Sequence, residues 1–220
     1  MTDLKAIIFD LDGVIIDSEA LHEEAGRMAM SRYALDATSL DFDAFKGKTE
    51  QDVFEYVVET NDADHVSVAD LIALKQRLYG DLLDRLLPVQ GALAFIERLA
   101  QAGFALGLTT SSLPKNQQRA FDKFDLHRYF DVVVTAADVT HAKPHPEPYL
   151  TTAQRLGVAP AYCLVIEDST HGVRSARRAG CRVAGLTTTF GKEALAEAGA
   201  EIVVDRYDEL ALHLHWEDTP

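Results

Sequence analysis

The sequence predicts an α/β protein in which helices cover both faces of a parallel sheet and a helical cap domain is inserted after the first strand. Short, nearly continuous apolar runs recur along the chain, and helix-like patterns lie between them, which is typical of such a sheet. The insertion is predicted because no convincing strand lies between about residues 17 and 87. The predicted division is a core of residues 1–14 and 88–220 and a cap of residues 15–87.

Six apolar runs are predicted as the strands of the sheet: Lys5–Phe9, Phe104–Thr109, Asp131–Thr135, Cys163–Ile166, Arg182–Leu186 and Glu201–Val204. Four helices are predicted between these strands: Gln90–Gln101, Lys115–Phe124, Pro146–Leu156 and Gly172–Ala179. Three more are predicted in the cap: Ser18–Tyr33, Glu50–Asn61 and Val68–Leu86. A cap placed directly after the first strand is expected to act as a lid over a site at the end of that strand.

Composition narrows the class of partner. The formal net charge of −14 argues against a nucleic-acid binder and against a protein held on anionic lipid, since both usually need a basic face. No apolar stretch approaches the roughly 18 residues of a membrane span.

The two cysteines, Cys163 and Cys181, lack CxxC spacing, which is typical of buried thiols in a reducing compartment. With no secretory pattern at the start of the sequence, we expect a cytoplasmic protein.

Polar residues that could carry chemistry follow four of the predicted strands. They are Asp10 and Asp12 in FDLDG, the Thr109–Ser112 cluster, Lys143 in HAKPHPEPY, and Glu167 with Asp168 in IEDS. Open parallel sheets bind ligands at the carboxyl ends of their strands, so these side chains are expected to lie along one edge. A polar turn or a surface lysine would explain any one of these groups, but not their recurrence at equivalent strand ends.

This set of residues suits phosphoryl transfer. Crowded carboxylates need a cation among them, and oxygen ligands favour Mg²⁺. Asp10 could attack phosphorus, and Asp12, past a tight turn, could act as acid and then base. Lys143 would supply a fixed positive charge and Thr110 a hydroxyl donor for the phosphate oxygens.

The four motifs FDLDG, strand-end threonine, KPxP and IEDS, in this order, resemble those of the haloacid dehalogenase superfamily. The resemblance covers essentially the whole chain, including the helical cap. DLDGVIIDSEALH and KPHPEPY are most similar to the subgroup of β-phosphoglucomutase and many sugar-phosphate phosphatases. The resemblance implies a Rossmann-like core, a Mg²⁺ cofactor and an aspartyl-phosphate intermediate. It also implies that the substrate is a small phosphorylated metabolite, such as a sugar or polyol phosphate.

The resemblance also implies a role for each matching residue. Asp10 would be the nucleophile and a Mg²⁺ ligand, and Asp12 the acid/base, which ligates through its backbone carbonyl. Asp168 would bind the metal directly, and Glu167 directly or through water. The residues implied to bind the phosphate are Thr110, Ser111 and Lys143.

Four cap residues are implied as substrate contacts: His22, Lys48, Glu50 and Lys75. Each also has an ordinary structural interpretation. His22 and Lys75 could be solvated side chains on helix surfaces. Glu50 could instead lie in the first turn of a helix that begins after an N-capping Thr49, where its negative charge would interact favourably with the helix dipole.

Three histidines lie near these motifs. His141 and His145 flank Lys143, and His171 follows the second acidic pair. Their clustering would suit a transition metal, but the oxygen-rich set of strand-end residues favours Mg²⁺.

Several functions compete. A phosphatase is favoured over a mutase of the β-phosphoglucomutase type, because such mutases usually carry an arginine in the cap where Glu50 stands, and an acidic group would repel a second phosphate. A dehalogenase would have no use for Asp12 or Asp168. A sugar-phosphate sensor on the same scaffold stays open, as does the choice between monomer and homodimer.

Overall fold

The computed structural model describes residues 3–38, 40–45 and 49–214. Its strands are β1 (Ala6–Phe9), β2 (Ile16–Asp17), β3 (Leu87–Pro88), β4 (Ala105–Thr109), β5 (Val132–Val134), β6 (Cys163–Glu167), β7 (Arg182–Leu186) and β8 (Ile202–Val204). Its helices are α1 (Glu19–Arg32), α2 (Glu50–Thr60), α3 (Val68–Leu82), α4 (Ala92–Gln101), α5 (Pro114–Phe124), α6 (Glu147–Leu156), α7 (Thr170–Arg178), α8 (Lys192–Ala198) and α9 (Tyr207–Leu214). Within these ranges, no helix has both the length and the apolar character that crossing a membrane requires.

Six strands form one sheet in the order β5-β4-β1-β6-β7-β8, and every neighbouring pair is parallel. The predicted α/β class with a Rossmann-like parallel sheet is confirmed. β1 lies near the centre of the sheet, with β4 and β5 on one side of it and β6, β7 and β8 on the other. The chain therefore adds strands on one side of β1 first and then crosses to the other side. Such a reversal of strand order is where open α/β sheets place their ligand sites.

The central strand β1 shows why the strands of this sheet are continuous runs of apolar residues rather than runs in which apolar and polar residues alternate. All four residues of β1 are fully buried, because helices cover both faces. On one face, Ala6 and Ile8 belong to a core cluster with Tyr149 of α6 and Val173 of α7. On the other face, the ring of Phe9 makes an edge contact with Phe95 of α4 at 6.5 Å between ring centroids.

The chain divides into two compact units, one of Met1–Asp17 with Leu87–Pro220 and the other of Ser18–Leu86. In the first unit, the chain leaves and returns through the antiparallel ribbon β2–β3, in which Asp17 lies opposite Leu87. This ribbon was not predicted, because two residues per strand carry no periodicity. The assignment of the units as catalytic core and cap stays a prediction.

The second unit is built from α1, α2 and α3 around a core of its own that includes Met30, Phe54 and Leu71. Thr49 and Asp52 form a capping box at the start of α2, which satisfies backbone donors that the helix cannot pair internally. The prediction that the third cap helix runs to Leu86 was wrong. The helix α3 ends at Leu82 and a short 3₁₀ turn follows, because the chain must become extended before a proline.

Candidate active site

The strand register brings the predicted site residues to one edge of the sheet. Phe9, the last residue of β1, lies opposite Leu108 in β4 and Ile166 in β6. The residues that follow on each strand therefore leave the sheet at the same level. The Asp10 backbone N–H still donates to the Ile166 carbonyl at 3.0 Å, which fixes where the Asp10 side chain begins.

Lys143 joins the carboxylates of two strand ends. Its ammonium group donates to Asp10 Oδ1 at 2.7 Å, to Glu167 Oε1 at 2.7 Å and to the Thr109 carbonyl at 3.1 Å. These three acceptors match the three donors of an ammonium group. Burial alone would lower the pKa of Lys143, but the neighbouring charges of Asp10 and Glu167 raise it above its ordinary value. Lys143 is therefore a permanent cation at the centre of the site.

Glu167 is completely buried, and the protein supplies donors to both of its carboxylate oxygens. Oε1 accepts from Lys143 and from the Tyr149 hydroxyl, each at 2.7 Å. Oε2 accepts from the backbone N–H groups of Asp168 and Ser169 and from the Ser169 hydroxyl. Burial would raise the pKa of Glu167, but Lys143 and these donors lower it below its ordinary value. Glu167 is thus an ionised anchor for Lys143.

The remaining carboxylates are poorly neutralised. Burial raises the pKa of Asp10 to about 7, with further contributions from the charges of Glu167 and Asp12, although Lys143 opposes the rise. Burial and the charges of Glu167 and Asp10 raise the pKa of Asp168 well above its ordinary value. One lysine therefore does not offset the negative charge collected here, and a further cation would stabilise the ionised site.

Ligand oxygens of Asp10, Glu167 and Asp168 all lie within 4.8 Å of one another. Oxygen atoms this close together could bind one metal ion, and the excess of negative charge around them would favour a cation. Asp168 is held by a hydroxyl group of the loop after β7: Thr189 donates to its Oδ2 at 2.5 Å, while the neighbouring Thr188 hydroxyl donates to the Gly13 carbonyl at 2.6 Å. The orientation of Asp168 therefore depends on a loop that follows a different strand.

Asp12 lies past the end of β1, in a turn that requires glycine at the next position. Gly13 has a φ of +73°, and a Cβ there would lie 1.8 Å from Asp168 Oδ2, so no side chain fits. The Asp12 carboxylate accepts a hydrogen bond from the Ser112 hydroxyl at 2.7 Å. Its side chain is thus held beside the loop that follows β4.

Thr110 and Ser111 follow β4. The Thr110 backbone N–H donates to Val134 of the neighbouring strand at 2.9 Å, and its hydroxyl accepts from the Ser112 N–H. Together with Lys143, Thr140 and other residues, Thr110 and Ser111 line a cavity of about 110 Å³. Both residues therefore lie where an anion beside Lys143 could reach them.

Sequence reasoning missed two residues of this site, Tyr149 and Thr189, and it named Ser112 as part of a polar cluster but not as a partner of Asp12. The signal for Thr189 was available, since Thr187–Thr189 directly follows a predicted strand in the same way as the acidic motifs do. Tyr149 had no such signal, because its role depends on α6 packing beside β1.

The second unit, taken by itself, brings together three of the four predicted cap residues. Lys75 forms an ion pair with Glu50, and its ammonium lies 2.7 Å from His22 Nδ1. The His22 ring stacks on Tyr79 with centroids 3.9 Å apart. The fourth residue, Lys48, lies outside the described residues. The cluster exists because His22 is on α1, Lys75 and Tyr79 are on α3, and Glu50 begins α2.

Comparison with known proteins identifies the family to which this chain belongs. A model of the haloacid dehalogenase-like hydrolases matches residues 7–186. A validoxylamine A 7′-phosphate phosphatase from Streptomyces hygroscopicus subsp. limoneus is 33% identical and covers 88% of this chain and 91% of its own. A phosphorylated carbohydrates phosphatase from Thermotoga maritima is 32% identical, with coverages of 91% and 94%. A fructose-1-phosphate phosphatase from Escherichia coli is 32% identical, with coverages of 79% and 92%.

Solved structures show the same fold. A Thermotoga maritima protein described provisionally as a β-phosphoglucomutase has a TM-score of 0.80 and 29% identity, and the match covers 96% of this chain and 99% of that one. A haloacid dehalogenase-type hydrolase from Entamoeba histolytica has a TM-score of 0.82 at 24% identity, with coverages of 94% and 95%.

Proposed function

The chain belongs to the haloacid dehalogenase-like hydrolases and is a phosphatase, and we propose that it uses Mg²⁺ to hydrolyse the phosphate monoester of a small carbohydrate or polyol. One observation carries the proposal. Asp10, at the end of the central strand, is held by Lys143 at 2.7 Å within a group of buried carboxylates. A carboxylate placed beside a fixed cation can attack phosphorus while the cation offsets the charge of the phosphate.

In the proposed reaction, an oxygen of the Asp10 carboxylate attacks phosphorus and the ester P–O bond breaks. Asp12 gives its proton to the leaving oxygen, so the free alcohol departs and Asp10 carries the phosphoryl group. Asp12, now ionised, takes a proton from water as the water oxygen attacks phosphorus. Inorganic phosphate leaves and the Asp10 carboxylate is restored. The hydrogen bond from Ser112 to Asp12 would hold this carboxyl group in position between the two steps.

The phosphate oxygens would be bound by the hydroxyl groups of Thr110 and Ser111 and attracted by the charge of Lys143, whose donors already pair with Asp10, Glu167 and the Thr109 carbonyl. Lys143 is the strongest of these groups, because its charge is fixed and Glu167 restrains its position from within the protein. Phosphoryl transfer depends mostly on positioning and charge stabilisation, which these residues provide without taking part in bond making.

The donor set at this edge fits Mg²⁺, which prefers oxygen ligands and retains several waters. Asp10, Asp168 and the backbone carbonyl of Asp12 would hold the ion. Glu167 would act through Lys143 or through a water, because protein donors already occupy both of its oxygens. When bound, Mg²⁺ offsets the repulsion between the Asp10 carboxylate and the incoming phosphate.

Two observations support a carbohydrate or polyol phosphate as the substrate. The relatives described above are named as phosphatases of phosphorylated carbohydrates or related compounds. In the second unit, Glu50 neutralises Lys75, so this cluster is suited to hydrogen-bonding hydroxyl groups rather than to holding a second phosphate. The ion pair therefore favours hydrolysis over the mutase alternative, and we propose that His22, Glu50 and Lys75 help to select the substrate.

A panel of small phosphorylated metabolites tests the proposal. Phosphate release is measured with Mg²⁺ and with a chelator, and β-glucose 1-phosphate is included with a readout for glucose 6-phosphate. We expect Mg²⁺-dependent phosphate release from one or a few sugar or polyol phosphates. Accumulation of glucose 6-phosphate with little free phosphate would instead establish a mutase. Full activity in the chelator would contradict the metal assignment.

A further inference from the structure

A second group of metal-ligating side chains lies outside the catalytic carboxylates, on the segment that leads into α6. The geometry points to a transition-metal site formed by His141, His145 and Glu147, which takes a divalent ion of the Zn²⁺ type. One ligand atom of each residue lies within 4.8 Å of the other two. The carboxylate Oε2 of Glu147 is 2.7 Å from His141 Nδ1 and 3.9 Å from His145 Nδ1.

The backbone already holds these donors close together. The Glu147 carboxylate accepts from the N–H groups of Thr140 at 2.8 Å and His141 at 3.0 Å. The His145 carbonyl accepts from the Ser175 hydroxyl at 2.5 Å, which ties the segment to α7. The two imidazole rings stack with centroids 4.4 Å apart. Binding an ion would therefore require side-chain rotation rather than reorganisation of the chain, which keeps the entropic cost small.

The donor chemistry separates this site from the catalytic one. Two imidazole nitrogens and one carboxylate oxygen suit Zn²⁺, Co²⁺ or Ni²⁺, whereas Mg²⁺ prefers a site made of oxygens alone. The side chains of His141 and His145 are 61% and 49% exposed, so water can complete the coordination. His171, which the sequence placed near these histidines, is not part of the group.

Hydrogen bonds within the group would be exchanged on binding. The bond between His141 Nδ1 and Glu147 would be replaced by bonds from both groups to the ion. His145 Nδ1 would likewise give up its bond from the Glu147 N–H at 3.2 Å. The ion would cross-link the two ends of the segment that carries Lys143, while the backbone bonds to the Glu147 carboxylate can remain in part.

Calorimetric titration of the full chain with Zn²⁺, in excess Mg²⁺ to keep the catalytic carboxylates occupied, tests the site. The variant is the double substitution His141→Gln with His145→Gln. The control is His127→Gln, which removes another exposed histidine that also lies beside a carboxylate, that of Asp122. We expect the wild type and the control to bind one more equivalent of Zn²⁺ than the double variant, or to bind it at least about tenfold more tightly. Equal stoichiometry and affinity in all three proteins would overturn the proposal.

A spectroscopic measurement on the wild type covers the case in which the double variant does not fold. X-ray absorption of the Zn²⁺-loaded protein in excess Mg²⁺ reports the ligands directly. Two imidazoles per ion would support the site, and a shell without imidazole would overturn it. Neither measurement depends on phosphatase activity, so a failure of the proposed reaction would leave the metal-binding result intact.

Discussion

At the scale of single residues, charge is the feature that organises the site. Lys143 divides its donors among Asp10, Glu167 and the Thr109 carbonyl, and Glu167 keeps its charge because the protein surrounds it with donors. Asp10 and Asp168 have no comparable set of donors, so burial and the neighbouring carboxylates raise the pKa of each. The site thus holds one well-compensated carboxylate as an anchor and leaves two that favour a metal ion.

The loop after β7 gives a prediction at this scale. Thr189→Val removes the hydroxyl that donates to Asp168 at 2.5 Å but keeps the shape of the side chain. Because outer hydrogen bonds orient metal ligands, we expect the Mg²⁺ concentration for half-maximal activity to rise about tenfold, with little change in melting temperature. Steady-state rates measured over a series of Mg²⁺ concentrations check this.

Thr187→Val is the matched control, since Thr187 is in the same run of threonines but donates to Asp205. It should leave the Mg²⁺ dependence unchanged. An identical response of the two variants would mean that Thr189 has no specific effect on the metal ligand.

Sequence reasoning identified the residues at strand ends because parallel strands deliver their next residues to a common edge. Asp10, Lys143 and Asp168 could be predicted in this way. Residues that extend into the site from a helix, such as Tyr149, could not be predicted, because their distance from Glu167 is set by packing between elements. The spacing also does not reveal that protein donors pair with both carboxylate oxygens of Glu167, because these donors come from several parts of the fold.

At the scale of elements, α7 is fitted against the end of β6 without space for a side chain at Gly172. A Cβ there would lie 1.6 Å from Glu167 Oε1. Alanine normally stabilises a helix relative to glycine. Here we expect Gly172→Ala to destabilise the protein by about 1–3 kcal/mol, because the helix or the buried carboxylate must shift. The shift would also disturb the Lys143 anchor, so activity should fall.

Urea denaturation and phosphatase assays check this prediction, with Gly191→Ala as the control. A Cβ at Gly191, which precedes α8, meets no atom within 4 Å. Its effect on the free energy of unfolding should stay below about 1 kcal/mol. A Gly172→Ala protein as stable and active as the control would contradict the close packing of α7 against Glu167.

The strands of the large sheet were predictable because burial on both faces makes them continuous apolar runs. The ribbon β2–β3 and the short helix α8 were not predicted. Two-residue strands carry no period, and α8 has only seven residues. The end of α3 was predicted too late along the chain. The residues after Leu82 still have good helix propensity, but the chain must become extended before Pro88.

At the scale of the whole molecule, the chain consists of two compact units joined through the β2–β3 ribbon. The position of the insertion was predictable from the missing strands, whereas the identity of the substrate was not. The cytoplasmic location and the choice between monomer and homodimer stay predictions.

Removing the second unit tests its role in selectivity. Asp17 and Leu87 lie opposite each other in the ribbon, so a two-residue Asn-Gly turn can replace Ser18–Leu86 and close a hairpin. We expect the shortened protein to keep Mg²⁺-dependent hydrolysis of a small aryl phosphate but to lose most of its discrimination among sugar phosphates. The ratios of kcat/KM across the panel measure this. Unchanged ratios would show that the unit does not determine selectivity.

The most direct test of the central claim is to trap the phosphorylated protein. The enzyme is mixed with its best substrate, quenched rapidly in acid and digested, and the peptide that contains Asp10 is analysed by mass spectrometry. We expect one added phosphoryl group on Asp10 in the wild type. In Asp10→Asn, we expect no adduct and turnover lower by roughly a thousandfold or more. A phosphoryl group on another residue, or wild-type turnover in Asp10→Asn, would contradict the assignment of Asp10 as the nucleophile.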